Sequence, residues 1–376
     1  MRGDKIEMAV NLDTRIAESP AATEIYISAT PTKNAPPQNQ ARQIFSAIGD
    51  TLRSKRAHIL QEQVFAAQNA MEIIPQIRSK AYDDIDDGVA PSFLVGREGI
   101  LGPIAAVQVH AISADAKTEV INLDHTPFGR ILRLPARTYL TLSGVSAPKF
   151  AQATEQAGAM LEKAESALKQ FGADFLSVPR TWMWLGDILS WYSDFNQVRN
   201  KFFTERGTIG KPSRQSMPAS TGIGLAPADG SKCAMDLIAV LEPSDSIQYL
   251  PAVGKQHCAL EYGSAFSRAS RAITPAGETV FVSGTASIDA NGATTNIGDA
   301  PGQINTTIEN VRAVLRDMHC ADEDVVQVVA YCKTTEVEKI FNDAKAAFPW
   351  PWVMVICDIC RPDLLFEIEA AAMPHK

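Results

Sequence analysis

The chain has 376 residues, of which 45% are hydrophobic and 21% charged, a composition typical of a globular protein of two or three domains. The formal net charge of −8 argues against a nucleic acid or an anionic membrane as partner, although a locally positive pocket can still bind an anionic substrate. No apolar run approaches the roughly 20 residues of a membrane span, and the amino-terminal segment lacks the apolar stretch of a secretory signal. We therefore expect a cytoplasmic protein whose six cysteines stay reduced.

Residues 1–90 are predicted to form an N-terminal extension that is partly flexible and partly helical. Residues 30–41 are polar and proline-rich, which is typical of a flexible lead-in. The pattern from Gln43 to about Arg78 indicates one or two helices. Residues 92–123 then have the pattern of strands separated by turns.

The rest of the chain repeats one order of elements, β-β-(β)-α-β-α-β-β. In the earlier copy, residues 91–245, the strand "TYLTLSGV" is followed by an amphipathic helix and by the strand "GADFLSVPRTWMWL". A second helix, "WYSDFNQVRNKFFTERG", and the strands "PASTGIGLAP" and "CAMDLIAVLEP" close this copy. Two helices on one face of a strand layer predict an α+β domain.

The later copy, residues 246–376, has the same order. The hairpin "FSRASRAITPAGETVFVSGTAS" precedes a helix whose apolar residues share one face. The apolar strand Val325–Cys332 follows, then a helix from about Val337 to Phe348. The segments "WVMVICDI" and "LLFEIEAAA" are predicted to be the last two strands.

The closing strand carries two carboxylates. Because side chains alternate along a strand, Glu367 and Glu369 share one face and Phe366 and Ile368 the other. The glutamates either lie on a solvated sheet face or line a cleft, where burial raises the pKa of a carboxyl and lets it keep a proton at neutral pH. In the earlier copy, Asp236 is taken as the position that matches Glu367.

Several arginines are placed where they could bind an anion. Arg268 and Arg271 are three residues apart, so on a strand they face opposite sides and at most one points into a given cleft. Arg130 and Arg133 repeat this spacing in the earlier copy. Arg180, in "VPRTWMW", is either a surface or ion-paired arginine or a ligand for a carboxylate, which the planar guanidinium binds through two hydrogen bonds.

Cys357 and Cys360 form a single CxxC. Zinc needs about four converging ligands, and the sequence offers no second pair, so no metal is expected. Cys360 lies seven residues before Glu367, and hairpin pairing would bring the two together. The alternative is that Cys360 is a small buried core residue.

These segments together resemble a known fold. The strand "VFVSGTAS", the helix "INTTIENVRAVL", the strand "DVVQVVAY" and the closing "FEIEAAA" are similar to the YjgF/RidA, or chorismate-mutase-like, fold. The two-copy chain with "RTWMWLGDILSWYSDFNQVRNKFF" resembles one family within it, the chorismatases. The resemblance covers about residues 90–376. It implies an α+β protein of two tandem YjgF/RidA-like domains, with mixed sheets, helices packed on one face and a catalytic second domain.

The resemblance also implies roles for particular residues. Glu367 would be the general acid, and a cysteine at Cys360 goes with release of a hydroxybenzoate. Arg180 and Arg268 would bind the carboxylates of the substrate. Ala269 would set the room beside Arg268, and Trp182 would supply an apolar wall or simply core.

The implied function is cleavage of chorismate to pyruvate and a hydroxybenzoate in secondary metabolism, without a cofactor or metal. The 3-hydroxybenzoate is favoured and the 4-hydroxybenzoate is possible. The alternatives are hydrolysis to a dihydroxy-cyclohexadiene carboxylate, an enamine/imine deaminase, or a non-catalytic protein that binds aromatic acids. The deaminases carry Pro-Ala-Arg on the fifth strand, where this chain has "FPWPWVMV". The sequence leaves open whether the chain is a monomer or a homotrimer.

Overall fold

The structure, a computed structural model, describes residues 10–210 and 215–374. The described chain folds into three units, each built on one sheet. The elements of unit 1 are β1 (Val10–Glu18), β2 (Thr23–Pro31), α1 (Pro37–Lys55), β3 (His58–Ala67), α2 (Gln68–Met71), α3 (Ile74–Tyr82), β4 (Ser92–Gly96) and β5 (Ile104–Ser113). Their strand order is β1-β2-β5-β3-β4, with β11 (Ala226–Pro227) added beside β4.

Units 2 and 3 repeat this plan. The elements of unit 2 are β6 (Glu119–Leu123), β7 (Thr126–Leu134), β8 (Arg137–Ser146), α4 (Ala153–Lys169), β9 (Arg180–Leu185), α5 (Ile188–Glu205), β10 (Ala219–Ile223) and β12 (Cys233–Glu242). Those of unit 3 are β13 (Gln248–Leu250), β14 (Ala269–Ile273), β15 (Glu278–Ala286), α6 (Ala300–Asp317), β16 (Val325–Cys332), α7 (Thr335–Ala344), β17 (Trp352–Ile356) and β18 (Phe366–Ala372). The strand orders are β6-β7-β8-β12-β9-β10 and β13-β14-β15-β18-β16-β17.

The α+β prediction is confirmed, but the prediction of two tandem sheets is wrong, because the chain forms three. Strands β1 to β3, which fall in the predicted extension, pair with β4 and β5: β2 is antiparallel to β5 and β3 is parallel to β4. A boundary at residue 90 therefore divides one sheet. Residues 1–9 of the predicted extension lie outside the described residues.

Strand β3 was missed because its centre is polar. Gln61, Glu62 and Gln63 interrupt the apolar pattern, yet all three are buried. Their polar groups find partners inside the protein, since Glu62 accepts a hydrogen bond from Arg78 at 2.7 Å and Gln63 donates one to Asp236 at 3.1 Å. Buried polar groups that are paired in this way do not follow the hydrophobic alternation on which strand prediction relies.

The three sheets meet face to face, with the helices outside. One face of each sheet packs against its own helices in a separate core, formed around the following residues: Ile27, Ile44 and Ile48 in unit 1, Leu140, Leu161 and Phe195 in unit 2, and Val282, Ile308 and Phe341 in unit 3. The other faces share a central core that contains Phe65, Trp184, Phe281 and Tyr331. The functional clefts can therefore form where neighbouring units meet.

Among the helices of the described residues, none is both long and apolar enough to cross a bilayer.

Candidate active site

A small cavity lies where unit 2 meets unit 3. Its wall from unit 2 comes from α5 and β10, and its wall from unit 3 comes from β15, β18 and two loops. The side chains and backbone that matter chemically are those of Tyr192, Arg199 and Gly222 in unit 2, and of Tyr262, Arg268, Gly284, Cys360, Arg361 and Glu367 in unit 3. Its volume is about 50 Å³, well below the roughly 300 Å³ or more of typical small-molecule pockets. An aromatic ligand would therefore require lining side chains to move.

Glu367 is the carboxyl of this cavity. It lies near the start of β18 and is only 4% exposed. Burial, and after it the nearby Glu369 carboxylate, raise its pKa to about 8, although Arg180 and Arg361 act in the opposite direction. Among the described residues, none donates a hydrogen bond to its carboxyl oxygens. Glu367 therefore holds a proton at neutral pH and has it available for a ligand.

The position of Glu367 depends on a glycine in the neighbouring strand. The β15 strand bulges between Val282 and Thr285, opposite β18. A Cβ atom on Gly284 would lie 2.2 Å from Oε1 of Glu367 and 3.2 Å from the Thr221 methyl carbon. Any side chain at residue 284 would therefore push the carboxyl away from its place beside the bulge.

Two buried arginines face the same cavity. Arg268 lies just before β14, and its Nε donates a hydrogen bond to the His257 carbonyl at 2.8 Å. Arg199 is on α5, and its Nη2 donates to Oδ1 of Asn196 at 2.6 Å. Nη2 of Arg268 and Nε of Arg199 are buried without a hydrogen-bond acceptor. Both guanidinium groups therefore keep donors for an anionic ligand.

A third arginine and two tyrosines also line the cavity beside the two buried arginines. Arg361 donates to the Gly292 carbonyl, and its guanidinium lies 5.5 Å from the ring centroid of Tyr262. The guanidinium of Arg268 lies 5.3 Å from the same centroid, so the tyrosine ring contacts both cations. Burial raises the pKa of Tyr192 to about 12, so its hydroxyl is a neutral donor.

Cys360 lines the cavity together with Glu367, whereas Cys357 lies in the central core. Burial raises the pKa of the Cys360 thiol to about 12, with a further contribution from Glu367. The thiol is therefore neutral at physiological pH and is a weak hydrogen-bonding group. The two cysteines of the CxxC face different environments.

Three residues that the sequence suggested for the site lie elsewhere. Ala269 points into the helix-side core of unit 3, away from the cavity. Arg180 and Trp182, on β9, are buried beside Glu369 in the interior behind the cavity. The Nη2 of Arg180 donates to Oε2 of Glu369 at 2.8 Å, and the Trp182 Nε1 donates to Oε1 at 2.9 Å. The three residues therefore do not line the cavity that contains Glu367, and their predicted contact with a ligand stays a prediction.

The position of the β-bulge in each unit shows which carboxylate of unit 2 corresponds to which carboxylate of unit 3. This correspondence differs from the one expected from the sequence. In unit 2, β8 carries a Ser-Gly bulge like that of β15, and Asp236 lies opposite it. In unit 3, the residue opposite the bulge is Glu369. Asp236 therefore matches Glu369, and Ala234 takes the position of Glu367. Unit 2 has no carboxyl where unit 3 has its candidate acid.

The same register revises the arginine repeat. Gly129 pairs with Leu142 in unit 2 as Ala269 pairs with Val282 in unit 3. Arg130 therefore corresponds to Ser270, and its guanidinium is used in an ion pair with Asp87. The shared spacing of the arginines does not reflect a shared position.

Sequence reasoning missed Arg199, although a signal was present. On α5, Trp191, Phe195 and Phe202 are buried and follow the helical period, and Arg199 falls on the same face. A charged residue within an apolar stripe is unusual unless it has a partner or a function. The pattern alone could have drawn attention to it.

Known proteins resemble this chain in sequence and in fold. The model of the Endoribonuclease L-PSP family matches residues 262–374, nearly all of unit 3. A 3-hydroxybenzoate synthase from Streptomyces hygroscopicus is 30% identical over 229 residues, which are 55% of this chain and 66% of that protein, so the match spans slightly less than two thirds of the relative. A crystal structure of a chorismatase covers 84% of this chain and 91% of its own, with a TM-score of 0.58 and 21% identity, which shows the shared fold. In sequence the chain is thus similar to a 3-hydroxybenzoate synthase and, over unit 3, to the Endoribonuclease L-PSP family, and in fold it is similar to a chorismatase.

Proposed function

We propose that this protein converts chorismate to pyruvate and a hydroxybenzoate. The observation that carries the proposal is the pairing of a protonated, buried carboxyl, Glu367, with three arginines in one cleft. Chorismate has two carboxylates, which the arginines of this cleft can bind. It also has an acid-labile enol ether, to which Glu367 can donate a proton. The name of the 30% identical relative, a 3-hydroxybenzoate synthase, supports the same reaction.

The first step is protonation of the substrate. Glu367 donates its proton to the methylene carbon of the enol ether, which leaves an oxocarbenium ion and a carboxylate. A pKa of about 8 keeps this acid protonated at neutral pH, and the developing cation is stabilised by the carboxylate that forms beside it. No redox change is involved.

The arginines bind and orient the substrate. Arg268 and Arg199 each have a buried N–H without an acceptor, so a carboxylate can bind there without breaking an existing hydrogen bond. Arg361 supplies a further cation from the loop that carries Cys360. Holding both carboxylates fixes the methylene carbon relative to Glu367 and lowers the entropic cost of the proton transfer.

The second step decides the product. The ring hydroxyl on C4 can attack the oxocarbenium carbon to form a cyclic ketal, and its proton returns to the Glu367 carboxylate. Loss of the C3 proton with cleavage of the C4–O bond then aromatises the ring, and collapse of the remaining hemiketal breaks its bond to the pyruvyl carbon and releases pyruvate and 3-hydroxybenzoate. If water attacks instead, the products are pyruvate and a dihydroxy-cyclohexadiene carboxylate. The neutral thiol of Cys360 positions water poorly, which favours capture by the ring hydroxyl. We favour 3-hydroxybenzoate, with 4-hydroxybenzoate as the possible isomer.

The test is incubation of the purified protein with chorismate. Pyruvate is quantified enzymatically, and the second product is compared by chromatography with 3- and 4-hydroxybenzoate and with the dihydroxy acid. We expect pyruvate and 3-hydroxybenzoate in equal amounts. Pyruvate with the dihydroxy acid would contradict the product assignment, and absence of pyruvate would contradict the proposed reaction itself.

A further inference from the structure

The buried ion pair behind the cavity is connected to Glu367 through a short chain of contacts. Nη2 of Arg180 donates both to Glu369 at 2.8 Å and to Oγ1 of Thr221 at 2.7 Å. The same Thr221 oxygen accepts a hydrogen bond from the backbone N–H of Gly284 at 3.0 Å, and Gly284 is the residue against which the Glu367 carboxyl lies. The pair thus fixes the strand segment that supports the acid.

The pair also acts on Glu367 through its charges. Glu367 and Glu369 are two residues apart on β18 and share one face of the strand, and both are about 95% buried. At this depth charges are poorly screened, so an unpaired Glu369 would disfavour ionisation of Glu367, and an unpaired Arg180 would favour it. The two charges therefore act on Glu367 in opposite directions.

The other groups that face Glu367 come from both units. Arg199 and Tyr192 come from α5, Arg268 and Tyr262 from the segment before β14, and Arg361 from the loop before β18. Cys360 and Cys357 lie on the strand-to-loop segment after β17. Burial raises the pKa of both thiols and both tyrosines, so these groups are neutral at physiological pH. The charged neighbours are thus Glu369 and four arginines, which are Arg180, Arg199, Arg268 and Arg361.

We propose that Arg180 and Glu369 are a positioning pair that sets the protonation state of Glu367 by holding a balanced charge behind it. Neither residue touches the cavity where the substrate would bind. The proposal rests on the proposed function only in the identity of Glu367 as the acid. In this proposal Glu367 transfers the proton, and Glu369 together with Arg180 controls whether Glu367 carries it.

The proposal predicts opposite effects for the two halves of the pair. In Glu369→Gln the unpaired cation of Arg180 remains, so Glu367 should titrate at a lower pH, by roughly one to three pH units. In Arg180→Met the unpaired Glu369 remains, and Glu367 should titrate at a higher pH. In the double variant, where both charges are gone, Glu367 should titrate close to its wild-type pH.

The experiment is a pH titration of the protein with ¹³C-labelled glutamate side chains, followed by NMR, with the Glu367 signal assigned by its loss in Glu367→Gln. Arg180→Lys retains the charge and serves as the matched control, for which we expect a titration near that of the wild type. If Glu369→Gln does not fold, the comparison of Arg180→Met with the double variant isolates the same charge at residue 369. Equal titration of Glu367 in all variants would overturn the proposal.

The titration needs no substrate, so its outcome is separate from the proposed function. If chorismate is cleaved but Glu367 titrates at one pH in every variant, the pair has no role in setting its protonation, and the reaction still stands. If the titration shifts as expected but chorismate is not cleaved, the pair controls Glu367 and the substrate assignment is wrong.

Discussion

Three residues that lie far apart in sequence, Arg199, Arg268 and Glu367, meet in the cavity because β10 of unit 2 packs against β15 of unit 3 and α5 contacts the loop before β14. Each of them is almost fully buried. A buried carboxyl and buried guanidinium groups cost free energy unless they are paired or used. At this site the free N–H groups of the arginines can bind the two carboxylates of a dianionic enol ether. The proton that Glu367 retains can be transferred to its methylene carbon.

The alternation of side chains along a strand separates the two arginines at the β14–β15 hairpin. Arg268 reaches the cavity, whereas Arg271 donates to the Met318 carbonyl at the end of α6 and remains partly exposed. Arg268→Lys keeps the positive charge but loses the planar guanidinium, so we expect chorismate turnover to fall by roughly tenfold or more, the scale of a lost hydrogen bond to a charged group.

Arg271→Lys is the matched control and should leave turnover near the wild-type value, measured as kcat/KM for pyruvate release. Equal losses in the two variants would show that the side of the strand does not select the residue that binds substrate.

Cys360 is expected to influence the product rather than the release of pyruvate. Cys360→Ala removes a neutral thiol and opens room beside the developing cation, where a water molecule needs about 30 Å³. We predict a larger fraction of dihydroxy acid relative to hydroxybenzoate, with pyruvate release retained. Quantifying both ring products by chromatography tests this, and an unchanged ratio would show that Cys360 is only a core residue.

At the scale of elements, the β15 bulge is the feature that places the acid. Gly284→Ala puts a methyl group where Oε1 of Glu367 lies, so the carboxyl must rotate away. Because a displacement of about 1 Å can cost 10²-fold in rate, we expect a loss of roughly that size.

The control for this prediction is Gly277→Ala, whose Cβ would meet the Met373 methyl carbon at an ordinary 3.5 Å. It should leave the rate of pyruvate release nearly unchanged. A Gly284→Ala variant with full activity would mean that the bulge does not position Glu367.

The elements of unit 3 were the most predictable from the sequence. The apolar strand Val325–Cys332 was predicted with its observed bounds, and the alternation in "FEIE" gave the shared face of the two glutamates. The second helix was predicted to run to Phe348 but ends at Ala344, where a single 3₁₀ turn follows. Unit 1 was not recognised, because the buried polar residues of β3 hide its pattern.

The site was predictable only in part for a similar reason. Glu367, Cys360 and Arg268 lie close to strand motifs that can be read from the sequence. Which unit faces them is decided by packing between sheets, and that packing brings in Arg199 and places Arg180 behind the cavity. The spacing of residues in the sequence predicts which side chains share one face of a strand. It does not predict which other unit packs against that face.

At the scale of the whole molecule, the three units of the described chain share one central core. Unit 1 also contacts unit 3 through the ion pair between Arg97 and Asp358, so the repeated units pack against one another within one chain. We therefore expect the protein to be a monomer. Light scattering coupled to size exclusion should give the mass of one chain, and a stable trimer would contradict this interpretation.

The central claim is that a protonated Glu367 cleaves chorismate, and the most direct test is the pH dependence of pyruvate release in the wild type and in Glu367→Gln. Because the pKa of Glu367 is raised to about 8, the acid is protonated below that pH and ionises above it, so wild-type activity should be high near neutral pH and fall as pH rises through 8. Glu367→Gln keeps the shape of the side chain but has no proton to give, and its rate should be lower by roughly 10²-fold or more, with the fold intact by circular dichroism. A folded Glu367→Gln variant that releases pyruvate at the wild-type rate would contradict the account.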